Sequence, residues 1–274
     1  MKIDAHQHFW KYHAKTHAWI NESMEVIQKD FLPEQLGPLL VENCIDGCIA
    51  VQADQSLEET KFLIELAEQN TWIKAVIGWI DLKAVDIEDQ LIYWKQKPIL
   101  KGFRHILQSE EPEFMLSSDF LRGIAALQKM NYCYEILIYP YHLPAALLLV
   151  KQFPEMRFII DHMAKPNIKD KQISKWQEGI EKLGQQKNVF CKISGMVTEA
   201  NWKNWEAADF EPYLTVIKKA FGMDRLIYGS DWPVCLVAAK YKEQYTIYKH
   251  YFSDCSYIEI ENLFGGNAKR FYQI

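Results

Sequence analysis

Eight short apolar runs, amphipathic stretches between them, and reactive polar side chains recurring at the ends of the runs predict an α/β fold: a distorted (β/α)8 TIM barrel, one domain spanning residues 1–274. The runs are Lys2–Gln7, Gly47–Gln52, Ile73–Trp79, Ile99–Arg104, Cys133–Ile138, Arg157–Asp161, Asn188–Ile193 and Arg225–Gly229. Each is short enough for a buried strand. Leu57–Asn70 carries Leu57, Phe62, Leu63, Leu66 and Ala67 on one helical face, with Ser56 ahead of Glu59 as a capping-box start. Ser118–Met130, His142–Phe153, Ile173–Gly184 and Pro212–Phe221 repeat the pattern. Pro33, Pro144 and Pro212 fall near helix starts, where proline is tolerated. An open doubly wound sheet is the alternative. Eight units close a ring comfortably, and no glycine-rich phosphate turn follows the first run, so the barrel is favoured. The long aromatic segment Trp10–Phe31 is expected to lie over the barrel mouth.

Composition narrows the function classes. The chain is 49% hydrophobic with a net charge of −5, which argues against a basic nucleic-acid surface. It has no run of 18 apolar residues, so no membrane span is expected, and it shows no signal-peptide pattern at its start. Cys44, Cys48, Cys133, Cys191, Cys235 and Cys255 share no metal-binding spacing. Reduced, mostly buried thiols in a cytoplasmic protein are the expectation.

Barrel enzymes place their chemistry at the carboxyl ends of the strands. Asp4-Ala5-His6-Gln7-His8 puts two imidazoles on one face of the first strand, because strand side chains alternate. Asp54, Asp81, Arg104, His105, Glu135, Asp161, His162, Lys192, Ser194 and Asp231 lie in or just after the later strands. Asp54 and Asp81 read equally well as loop caps. Asp231, facing His6 and His8, is the candidate general base for an attacking water. His162 is placed to polarise a carbonyl or position that water. Arg104 and Lys192 suit an anionic or polyhydroxylated substrate, or a developing oxyanion. No G-x-S-x-G turn supplies a nucleophilic serine. The reaction class is therefore water attack on an activated carbonyl. His6, His8 and Asp231 would make a three-ligand zinc site with an open position, with Glu135 as a fourth ligand.

The ordered segments IDAHQHFW, KDFLPEQL, VQADQSLEET, VIGWIDL, KGFRH, IIDHMAKP, VFCKISGMVTEA, LIYGSDWPV and GGNAKRFY resemble the amidohydrolase superfamily. Within it they resemble the sugar-lactone hydrolase branch of the amidohydrolase-related family, over nearly the full length. The resemblance implies hydrolysis of a lactone ester in a distorted barrel, with His6, His8, His162 and Asp231 at its centre. It suggests Arg104, His105 and Lys192 as substrate contacts, and Trp79 and Trp232 as residues packing against a sugar ring. The wider superfamily's metal pattern places lysine, glutamate or histidine on strand four and histidine on strand five. Here those strands offer Arg104-His105 and Glu135, so a binuclear centre is not expected. The cofactor expectation is none or one divalent metal, zinc first. The expected partner is a small sugar lactone, with neither nucleic acid nor membrane. Two competing functions are a zinc-dependent decarboxylase of an aromatic acid and a barrel that binds a sugar acid without turnover.

Overall fold

The computed structural model describes residues 1–274. Eight parallel strands run in sequential order: β1 (Ile3–Gln7), β2 (Gly47–Val51), β3 (Ile73–Gly78), β4 (Leu100–His105), β5 (Cys133–Ile136), β6 (Phe158–Ile160), β7 (Val189–Ile193) and β8 (Leu226–Tyr228). Helices α1 (Pro33–Glu42), α2 (Leu57–Gln69), α3 (Ile87–Trp94), α4 (Ser118–Lys129), α5 (Leu143–Gln152), α6 (Ser174–Gly184), α7 (Glu211–Phe221) and α8 (Tyr241–Tyr251) follow the strands in turn. The short helices α9 (Tyr257–Glu261) and α10 (Asn267–Tyr272) end the chain. This is a distorted (β/α)8 barrel. The distortion lies at the seam. β8 and β1 share no regular ladder; a bridge between Gln7 and Trp232 closes the ring. His8 N donates to Trp232 O at 2.7 Å and Asp231 N to His6 O at 2.8 Å, so the barrel closes through the residues of its mouth.

Two apolar cores build the barrel. The larger fills the space between strands and helices. The smaller gathers Ile3, Ala5, Ile49, Val51, Ala75, Ile77, Cys133, Ile159 and Ile227 with Ala268, Phe271 and Tyr272 of α10. α10 thus plugs the N-terminal end of the barrel, leaving the opposite end for polar groups.

Strand β1 departs from simple alternation. Asp4 pairs with Cys48 but Gln7 pairs with Ala50, so three steps on β1 match two on β2. This bulge changes which side chains face inward. Ile3 and Ala5 belong to the interior core, yet His6 also meets interior groups of β4, β6 and β7. Strict alternation from Ile3 would have sent both histidines toward the helices.

The segment between β1 and α1 is clasped at its base, Trp10 and Phe31 exchanging backbone hydrogen bonds of 2.9 Å. Trp10 is fully buried, and its ring stacks toward His8 at 6.4 Å. Ser56 caps α2 by accepting from Glu59 N at 3.1 Å. The Glu59 carboxylate turns instead to Ala53 N, at 3.0 Å, tying the end of β2 to the helix. No helix is long and apolar enough to cross a membrane.

Candidate active site

Four side chains meet at the open end of the barrel. Asp231 Oδ1 lies 3.5 Å from His8 Nε2, 3.8 Å from His162 Nε2 and 4.0 Å from His6 Nε2. Each is held from behind. The His8 Nδ1–H donates to Val51 O at 2.8 Å, which leaves the Nε2 lone pair facing Asp231. His162 Nδ1 meets Ser194 Oγ at 2.9 Å. Asp231 is turned inward by a left-handed backbone conformation, φ 57°.

His162 opens a run of four residues, His162 to Lys165, with φ between 48° and 58°. L-residues populate this region at a cost of about 1–2 kcal/mol each. The sequence folds so locally because the surroundings leave the ring one place to go. Gly195, φ 65°, faces it, and a Cβ there would lie 2.7 Å from His162 Nδ1. Gly229 plays the same part under His6, where a Cβ would come within 2.5 Å of the His6 Cβ.

Beneath this group lies a second charged layer. Arg104 Nη1 stands 3.0 Å from Asp161 Oδ2 and 3.2 Å from His6 Nε2. Lys192 Nζ reaches Glu135 Oε2 at 2.5 Å, His6 Nδ1 at 3.1 Å and Asp161 Oδ1 at 3.2 Å. Tyr272 of α10 donates to Glu135 Oε1 at 2.5 Å. Arg104 also donates to Gln52 O, and Gln52 Nε2 returns a hydrogen bond to Arg104 O at 3.0 Å. All these side chains are buried.

Burial sets the protonation states. It lowers the pKa of His6 well below the usual value, with Lys192 adding to the effect. His8 is lowered chiefly by burial, and His162 falls to about 4 for the same reason. All three imidazoles are therefore neutral at pH 7. Burial pushes the Asp231 carboxyl up, but His162, the His8 contact and Lys165 outweigh it and leave it below its ordinary value. Asp161 follows the same logic, burial being overcome by Lys192, His6 and Arg104. Glu135 is raised to about 7 by burial, against the pull of Lys192.

A third set of contacts supports Asp231 from outside the barrel. Asp4 Oδ1 accepts from Ser230 N at 2.8 Å, and its Oδ2 accepts from the Tyr241 hydroxyl at 2.9 Å. Burial raises Asp4 to about 6.

The chain matches the amidohydrolase family over residues 3–274. It belongs to that family. It is 38% identical to an L-fucono-1,5-lactonase of Burkholderia multivorans, over 100% of this chain and 96% of the relative. It is 33% identical to an L-fucono-1,5-lactonase of Burkholderia ambifaria, with the same shares covered. A crystal structure of an amidohydrolase from Burkholderia multivorans with bound zinc superposes with a TM-score of 0.96, at 38% identity, covering 100% of this chain and 99% of that one.

In this amidohydrolase the expected site residues fall into three groups. His6, His8, His162 and Asp231 come together at the mouth. Arg104, Lys192 and Glu135 lie one layer deeper, Arg104 paired with Asp161 and Lys192 with both Glu135 and Asp161. Glu135 has both oxygens occupied by Lys192 and Tyr272, which takes it out of the expected ligand set. His105, Trp79 and Trp232 are elsewhere. His105 follows inward-facing Arg104 and points out of the ring, stacked on Phe114 at 5.0 Å and 3.2 Å from Glu110 Oε1. Half-buried Trp79 donates its indole N–H to His105 Nδ1 at 3.4 Å. Trp232 is 1% exposed, packed edge-on against Phe31 and Phe9, and lines no open surface. Asp81 is a loop cap, accepting from Lys83 N at 3.0 Å.

Asp161, given no role in the sequence beyond its strand-end place, and Lys165 also stand beside the mouth group. Asp161 joins both layers. Its signal was adjacency to His162 at a strand end. Lys165 stands at the rim, 3.3 Å from Glu199 Oε1 and over the Tyr139 ring.

The donor set fits one divalent ion. His6, His8 and Asp231 present three ligand atoms within 4.8 Å of one another, all on buried residues. Two neutral imidazoles and an ionised carboxylate are the ligand types zinc prefers.

Proposed function

We propose that this amidohydrolase opens a sugar-acid lactone of the L-fucono-1,5-lactone kind by water attack on the ring ester carbonyl. The observation that carries the reading is the buried Asp231 carboxylate with three neutral imidazole Nε2 atoms around one of its oxygens. The names of the two lactonase relatives supply the substrate class.

Asp231 Oδ1 accepts a proton from water as its oxygen bonds to the carbonyl carbon. The ring C–O bond then breaks, and the proton held at Asp231 passes to the leaving alkoxide. The product is the open hydroxy acid. His162, locked by Ser194 and Gly195, orients the water or the carbonyl oxygen. His8, fixed by Val51 O, presents its Nε2 lone pair beside Asp231 Oδ1. Arg104 and Lys192 position His6 from below rather than contacting substrate. An ion held by His6, His8 and Asp231 would supply Lewis-acid polarisation of the carbonyl. A lactone is a more reactive acyl group than an amide, so a weakly basic carboxylate suffices as the base.

The test is a panel of sugar-acid 1,5- and 1,4-lactones, with proton release followed near pH 8. Catalysed release with at least one lactone supports the reading. Calorimetric binding without release would mark a binding barrel, and carbon dioxide from an aromatic acid with inert lactones would mark a decarboxylase.

A further inference from the structure

The end of the barrel opposite the mouth carries a second polar cavity, of about 230 Å³, which the lactonase reading does not use. Its walls are the loops that enter β4, β5 and β6, together with the end of α10. Lys95, Lys97, Lys101 and Arg157 line it, and no acidic residue does. Lys97 is answered by Glu68 outside the cavity, at 2.8 Å. The other three cations have no carboxylate partner; Lys101 Nζ donates to Gln273 O at 3.1 Å, and Arg157 to the carbonyls of Phe271 and Asn131. Arg157 is thereby fixed in the wall, with its charge unneutralised. This concentration of positive charge stands out in a chain of net charge −5.

Tyr132, 3% exposed, lines the same cavity, and its hydroxyl is buried without any hydrogen-bond partner. An orphaned buried hydroxyl costs about 1–3 kcal/mol. Lys95 Nζ sits over the Tyr132 ring, 4.5 Å from its centre. Burial, then Arg157 and Lys101, depress the Lys95 pKa, as expected of cations crowded without a counter-charge.

We propose that this cavity is a binding site for a small phosphate group, with Lys95, Lys101 and Arg157 supplying charge. Its volume, below that of pockets for drug-sized ligands, suits an ion or a compact phosphate ester. Ammonium and guanidinium groups recognise phosphate oxygens by charge-assisted hydrogen bonds. Tyr272 forms part of the wall while its hydroxyl bonds Glu135 inside the barrel, so the cavity backs onto the buried charged layer.

The test is titration of the full-length protein with inorganic phosphate by isothermal calorimetry, against sodium chloride at matched ionic strength. The expected result is saturable binding at millimolar phosphate or below, absent with chloride. The double variant Lys95→Gln/Lys101→Gln should weaken it about tenfold or more. The altered lysines do not belong to the core, so the double variant keeps the fold, which circular dichroism verifies. Phosphate binding that is no stronger than the chloride control, or that is unchanged in the double variant, overturns the proposal.

Discussion

The two buried polar layers of the barrel interior each hold carboxylate and differ in what surrounds it, cations below and imidazoles above. In the lower layer Arg104, Lys192, Glu135 and Asp161 form ion pairs at 2.5–3.2 Å, with Arg104 Nε left unpartnered. In the upper layer the nitrogen-to-oxygen distances about Asp231 are 3.5–4.0 Å, longer than a good hydrogen bond. Burial is similar in both, so exposure does not separate them. Partnering does. A buried charge held against an opposite charge is restrained by it, whereas neutral bases spread around a carboxylate can serve a substrate. His6 belongs to both layers, and Arg104 and Lys192 hold it from beneath.

Variants can break this contrast. Removing one partner from the lower layer should cost most in stability. Lys192→Met leaves Glu135 and Asp161 short of a cation, and breaking a buried pair costs about 3–5 kcal/mol. Urea unfolding should show that loss, and adding Glu135→Leu should recover part of it. An unchanged midpoint would mean the lower layer is not a paired network. The upper layer should instead bind metal. After dialysis against zinc, the wild type should retain about one equivalent, and His8→Ala about a tenth of that or less, with little change in unfolding midpoint. Equal zinc content in the two would place the ion elsewhere.

A smaller effect sharpens the role of burial itself. Glu59 is raised to about 7, mainly by burial, from an unfolded value near 4.5. Folding therefore favours its protonated form. Its contribution is fully present below pH 4.5 and lost as pH rises through 7. Glu59→Gln keeps an acceptor for Ala53 N, so at pH 8 it should be more stable than the wild type by roughly 1–3 kcal/mol, the gain vanishing near pH 4.5. Thermal melts at both pH values measure this. The smallest effect belongs to His105, which lies outside the ring. His105→Gln should change kcat/KM less than about threefold, whereas a residue contacting the reacting atoms would cost about a hundredfold or more.

Much of this contrast was legible in the sequence, but not all. His6, His8, His162 and Asp231 were readable because a strand-end position in a barrel predicts convergence. The β1 bulge was not readable, since a one-residue slip in pairing leaves no compositional trace. Nor was the left-handed turn at His162, which depends on Gly195 some thirty residues away in sequence and in contact only after folding. Arg104, Lys192 and Glu135 were legible as charged strand residues, and the structure turns all three inward. A sequence shows which face a charge takes, not whether another charge meets it there. The family resemblance suggests His105 and Trp232 as substrate contacts, and the structure packs His105 on Phe114 and Trp232 against Phe9 and Phe31. Adjacent strand residues point opposite ways, which is why His105 ends against Phe114.

The central claim is that Asp231 moves the proton in lactone hydrolysis. The most direct measurement is turnover of the best lactone by Asp231→Asn, whose side chain keeps the shape and loses the base, together with its melting temperature. The prediction is a fall in kcat of about 10²–10⁴ with a near-native melting temperature. Hydrolysis within about threefold of the wild type would contradict the assignment and move the base to one of the three histidines around it.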